Sequence, residues 1–176
     1  MDMERKKNKI VVESITLALI QLMEKKDFND ISITELTKRA GVGRVSFYRN
    51  FEDKTDVLRK YLNDIQYEFM LSREANRHDS NFTEYITELF AHLSNYKELA
   101  ILLLKADMFY LVKEQFDYVF NNLKTTSEEE PALFFLSGGL YNAFYYWAVN
   151  DFTDSPRKIA EEITKYINAQ NLIVIK

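Results

Sequence analysis

The chain has 176 residues, 47% of them hydrophobic and 14% aromatic, which excludes a disordered chain and allows one or two small domains with a real core. Four Gly and two Pro argue against a turn-rich all-β architecture, and the lack of Cys excludes disulfides, thiolate metal sites and Cys nucleophiles. The net charge of −4 is unevenly spread: residues 1–60 carry 13 Lys and Arg against 10 Asp and Glu, a net of +3, while the other 116 carry 10 against 17, a net of −7. A basic head on an acidic body suits a chain that presents one end to phosphates, although a chance fluctuation of a few charges gives the same count.

The opening residues, MDMERKKNKI, lack the apolar run of a signal peptide, and a cytoplasmic location is the expectation. Arg5, Lys6, Lys7 and Lys9 read either as a basic arm reaching phosphates or the minor groove, or as a disordered tail. A first helix is predicted over about 8–25, with Val11, Ile15, Ala18, Leu19, Leu22 and Met23 in one apolar stripe. A short second helix begins at Ser32, an N-cap residue followed three positions on by Glu35, as in a capping box, and Gly41 stops it. A third short helix is predicted over 43–50. Asp53 caps a long fourth helix, reaching about residue 75, whose stripe is Leu58, Leu62, Ile65 and Phe69.

Residues 82–123 read as two or three aromatic-rich helices, followed by a polar connection at 124–130. The apolar run 132–149 is nearly long enough to cross a membrane. It holds Ser137, Gly138, Gly139 and Asn142, and no basic cluster flanks it, so a helix buried in a bundle or a dimer is predicted instead. Ser155 and Pro156 open a last helix with the stripe Ile159, Ile163, Tyr166 and Ile167. The tail Leu172–Ile175 has no readable role. The predicted fold is all-α. A helix-turn-helix domain at 1–52 is joined by the helix of about 53–75 to a ligand-binding and dimerisation bundle within 53–176.

The informative stretch is 31–54: two short helices joined by a Gly turn and followed by a long one. Phe47 and Phe51, four apart, share a face that can anchor the second short helix. Its other face, with Gly43, Arg44, Val45, Ser46, Tyr48 and Arg49, is free to enter a DNA major groove, which is wide enough for one helix.

Ala18, Ser32, Leu36, Ala40, Gly41, Val42, Tyr48, Phe51, Lys54 and Leu58 stand at the spacing of a known signature. In this the sequence resembles the tetracycline-repressor-type (TetR) regulators over roughly residues 10–60. It departs at Thr37 and Gly43, where Ala and Ser are usual, and at Asn50, where His is usual. Gly43 removes a possible hydroxyl contact to DNA, and Asn50 keeps hydrogen-bonding ability. The resemblance implies DNA contact by Tyr48 and Lys54, and Ser32, Thr34 and Asn50 are further candidates. Arg44 reads equally as a guanine reader or a phosphate contact, and Val45 as a thymine-methyl contact or as filler.

The resemblance also implies a homodimer built on two C-terminal helices, with Gly138, Gly139, Ile159, Ile163 and Tyr166 as interface candidates. Close approach of a partner helix explains the two glycines better than a simple bend. The operator is then a near-palindrome of double-stranded DNA. A looser likeness is to a subgroup whose body contacts a protein coactivator, as in regulators of dihydroxyacetone kinase operons.

Tyr67, Phe69, Phe109, Tyr110, Phe144 and Trp147 are candidates for lining a pocket for an apolar or aromatic effector, with plain core as the alternative for each. His78 and His92 have no partner at metal-ligand spacing, and no carboxylate pairs with a nucleophile. No catalytic residue, metal or cofactor is expected. The leading expectation is a homodimeric repressor released by a small molecule. The alternatives are a regulator controlled by a protein partner and an interaction module that has lost DNA binding. A cavity in the C-terminal bundle favours the small molecule, and a solid core favours the protein.

Overall fold

The computed structural model describes residues 2–75, 81–121 and 130–169. Among these the structure is nine α-helices and one 3-10 turn, with no strand: α1 Asp2–Met23, the turn Phe28–Asp30, α2 Ile33–Ala40, α3 Arg44–Asn50, α4 Lys54–Ala75, α5 Phe82–Ser94, α6 Lys97–Lys105, α7 Tyr110–Asn121, α8 Glu130–Val149 and α9 Pro156–Ala169. The all-α prediction holds. No helix among the described residues is long and apolar enough to cross a membrane. His78 and the Leu172–Ile175 tail lie outside the described residues.

The head forms because each short helix has a local start and a local stop. Ser32 Oγ accepts from the Glu35 N–H at 3.1 Å and so satisfies one free donor at the start of α2. The expected capping box is only half built. The Glu35 carboxylate pairs with the Lys26 ammonium instead, a charge-assisted partner stronger than a backbone N–H. Gly41 ends α2 in the left-handed region at φ 67°, which costs a residue without Cβ nothing. The departure at Thr37 is harmless because its buried hydroxyl donates to Ile33 O at 2.9 Å within the same helix.

Helix α1 starts about two turns earlier than predicted. Arg5, Lys6, Lys7 and Lys9 are therefore helical and exposed rather than a disordered tail. Ile15, Ala18, Leu19 and Leu22 from α1 meet Leu36, Phe47, Phe51 and Leu58 in one apolar core. Phe47 is fully buried and lies 5.7 Å from Phe51, the anchoring expected from their spacing.

Helix α4 belongs to both halves. Asp53 Oδ1 accepts the Asp56 N–H at 2.8 Å and starts it. Val57 and Leu58 complete the head core, and Leu62, Ile65 and Phe69 continue the same stripe into the body. Ion pairs tie α4 outward: Arg59 to Glu114 on α7 at 2.9 Å, and Arg73 to Glu88 on α5. In the body α9 lies on α5, joined by a hydrogen bond from Thr83 to Thr164 at 3.0 Å, and α8 lies on α7, joined by Ser137 donating to Asp117 at 2.9 Å. Asn81 starts α5 with a complete capping box through Glu84. Beyond α8, Phe152 takes a positive φ of 54° that folds its ring back to 4.9 Å from Trp147.

Candidate nucleic-acid interface and effector cavity

Helix α3 is held from behind, and its front is bare. Phe47 faces the core, while Arg44, Val45, Tyr48 and Arg49 face away from it. Val45 is 76% exposed and Tyr48 54%, high values for large side chains in an ordered helix. The Arg44 guanidinium lies 6.0 Å from the centre of the Tyr48 ring, a loose cation–π contact, and the residue is exposed. Gly43 is an extended N-cap at φ −78°, Ser46 is half-buried, and Ser32 and Thr34 are exposed at the start of α2.

Two candidates are engaged within the chain. Asn50 donates to Ser46 O at 2.8 Å within α3 and accepts from Asn8 at 2.9 Å, so its amide oxygen braces α3 against α1. Lys54 is half-buried. Its ammonium donates to Phe28 O at 2.6 Å and sits 4.5 Å over the Phe28 ring. Burial, and then the nearby Lys26 charge, hold the Lys54 pKa below the usual lysine range.

A cavity of about 860 Å³ lies in the body, walled by α4, α5, α6, α7 and Phe144 of α8. The deep wall is apolar, with Leu62, Leu103, Val112 and Phe116 among its residues, and exposed Tyr67, Met70 and Leu71 bring one side to the surface. His92 reaches the wall from α5, and its Nε2 lies 2.9 Å from Ile65 O. Since a carbonyl only accepts, Nε2 carries the proton there. The Tyr96 hydroxyl donates to Glu68 at 2.7 Å. Burial, then that bond, push its pKa up to about 12.

Residues 15–61, which contain α2, α3 and the start of α4, match the family model described as "Bacterial regulatory proteins, tetR family". The head is a TetR-family DNA-binding domain. Its helix-turn-helix is the α2–α3 pair. No curated protein matches the sequence. Among solved structures it is similar to "Dihydroxyacetone kinase operon activator DhaS", with a TM-score of 0.61 and 14% identity over 91% of this chain and 95% of that one. At that identity the likeness concerns the fold.

The body sorts the remaining candidates. Tyr67, Phe69 and Phe144 line the cavity. Phe109 and Trp147 stand behind it as buried core: Phe109 stacks on Phe144 at 5.8 Å and Trp147 on Phe90 at 5.7 Å, with the indole N–H donating to Asp154 O at 2.9 Å. Tyr110 is exposed and outside the lining. Ile159 is buried within its own chain and Ile163 half-buried against the same core. The Tyr166 side chain lies outside the description. Gly138 and Gly139 are different: a Cβ built on either meets nothing within 4 Å. Beside them α8 exposes Phe134, Phe135, Tyr146 and Val149, with Phe135 at 59% and Tyr146 at 60%.

Sequence reasoning missed His92, Tyr96 and Gln115 as cavity residues. A signal existed for Gln115. It is the polar member of an apolar stripe at helical spacing, Val112, Gln115, Phe116 and Val119.

Proposed function

We propose that the chain is a homodimeric repressor whose head, residues 1–52, reads a near-palindromic operator, and whose body, residues 53–176, releases the DNA when a largely apolar small molecule enters the cavity. The observation that carries the reading is that α4 supplies both the back of the head core, through Val57 and Leu58, and one wall of the cavity, through Leu62, Ile65 and Phe69. A guest that wedges this wall tilts α4 and with it the spacing of the two heads. Two recognition helices in a two-fold dimer must lie about 34–36 Å apart to meet successive turns of one DNA face. A coupling of roughly 1–3 kcal/mol weakens operator binding about 5–150-fold, and it arises only if the guest prefers the released state. The cavity favours a small molecule over a protein effector.

In this reading Arg44, Val45 and Tyr48 meet base edges. Ser32, Thr34, Gly43, Ser46, Arg49 and Lys54 meet the phosphates, and Asn50 acts by holding α3 in place. The bare α8 face, with Gly138 and Gly139 open, is where the second copy packs. Its apolar residues are the kind that dimer interfaces bury.

The test is to select bound duplexes from a random library with the full-length protein. Anisotropy is then measured on the enriched sequence across salt. Binding should weaken with salt at a slope of about −0.9 per phosphate contact. Arg44→Ala should relax the preference at one position by roughly 1–3 kcal/mol. Enrichment of no sequence, or of one without two-fold symmetry, refutes the reading.

A further inference from the structure

We propose that the cavity takes a neutral, ring-bearing ligand carrying a hydroxyl, and that the Gln115 amide is the group that reads the hydroxyl. This rests on the small-molecule reading above and deepens it.

Four polar groups of the wall have partners within the chain. Arg73 is paired with Glu88 and lies over the Tyr85 ring at 4.8 Å. His92 is bonded to Ile65 O, and the Tyr96 hydroxyl to Glu68. Gln66 reaches Met70 Sδ at 3.9 Å on its own helix. Gln115 differs from these four. Its Oε1 is buried and accepts no hydrogen bond, the one side-chain atom in that state among the described residues. Buried polar atoms are nearly always partnered, so an orphan in the wall of a large cavity marks a place where a guest completes the bonding.

The chemistry of the guest follows. The lining contributed by α5, α6, α7 and α8 holds no Asp, Glu, Lys or Arg, and the charged Arg73 and Glu74 belong to the last turns of α4. A charged guest seated beside Gln115 would lose its hydration and gain no counter-charge. Phe116 and Phe144, with Phe69 across from them, offer ring faces and edges to an aromatic guest. A hydroxyl both donates and accepts, so it satisfies the amide whichever way the oxygen and nitrogen are turned, which a ketone or an ether does not.

The test uses the full chain, its Gln115→Leu variant and three probes of one shape: 2-naphthol, 2-methylnaphthalene and 2-naphthoate. Affinities are read by calorimetry, and melting temperatures are taken without probe. One hydrogen bond is worth roughly three- to tenfold in affinity. Gln115→Leu should therefore shift the ratio of naphthol to methylnaphthalene affinity by that factor against naphthol. Naphthoate should bind the natural chain most weakly. Without probe the variant should melt no lower than the natural chain, because it loses an orphan acceptor and keeps its volume. An unchanged ratio, a preference for naphthoate or a lower melting temperature overturns the role of Gln115 and leaves the cavity reading standing. Failure of all three probes to bind the natural chain overturns both.

Discussion

Gly139 separates the stability of the chain from its assembly. It lies in the middle of α8, where glycine is worth about 1 kcal/mol less than alanine. It is exposed, and a Cβ added there meets nothing within 4 Å. Gly139→Ala should thus stabilise the isolated chain by about 1 kcal/mol and raise its melting temperature by about 2–4 °C. The effect on a dimer has the opposite sign if α8 meets α8. Each substitution then occurs twice across the two-fold axis. Overpacking costs about 1–3 kcal/mol per site, so Gly139→Leu should weaken the dimer by about 2–6 kcal/mol, roughly 30-fold to more than 10⁴-fold. Sedimentation velocity over a concentration series, with far-UV circular dichroism to verify the fold, reads both effects. The expected result is a folded Gly139→Leu monomer at concentrations where the natural chain is dimeric. A Leu variant that dimerises as before, or a natural chain that is monomeric at micromolar concentration, refutes the interface.

Three further outcomes follow from the packing. Lys54→Met should lower head stability by about 1 kcal/mol, since it removes a half-buried charge-assisted bond to Phe28 O. If the ammonium also meets a phosphate, the salt slope of operator binding should flatten by about one contact, and an unchanged slope restricts Lys54 to the brace. The Asp56 carboxylate resists ionisation through burial, but the Glu52 N–H at 3.0 Å and the Lys60 ammonium at 2.9 Å outweigh this and lower its pKa. Its stabilisation is therefore complete above the usual carboxylate range near about pH 4 and is lost as pH falls through the lowered value. The melting-temperature gap between the natural chain and Asp56→Asn should be open at neutral pH and close in strong acid, and a gap independent of pH contradicts the assignment. Ala100→Leu points three more carbons into the cavity, and at about 0.8 kcal/mol per buried methylene it should stabilise the chain by about 2 kcal/mol. It should also weaken probe binding, and a fall in melting temperature means that the wall has no room.

Local chemistry made the head legible. Ser32, Gly41, Asp53 and the Phe47/Phe51 pair each act within four residues of chain, so their roles are written in spacing alone. The all-α architecture was legible for the same reason: turn-poor composition and 3.6-residue stripes leave few other folds. Candidate groups whose roles depend on a distant partner were read less well. Lys54 finds Phe28 O across 26 positions, and Asn50 finds Asn8 across 42, so exposed-looking polar residues became braces. Glu35 left its expected cap for Lys26 because a cation outcompetes an amide. Periodicity marks a side chain as facing inward, but inward can mean packed core or cavity wall. Of six aromatic candidates, only Tyr67, Phe69 and Phe144 line the cavity, while Phe109 and Trp147 stand one layer behind it and Tyr110 faces out. That division depends on how five helices fail to close on one another. It is set by side chains far apart in sequence, and no stretch of the chain encodes it alone.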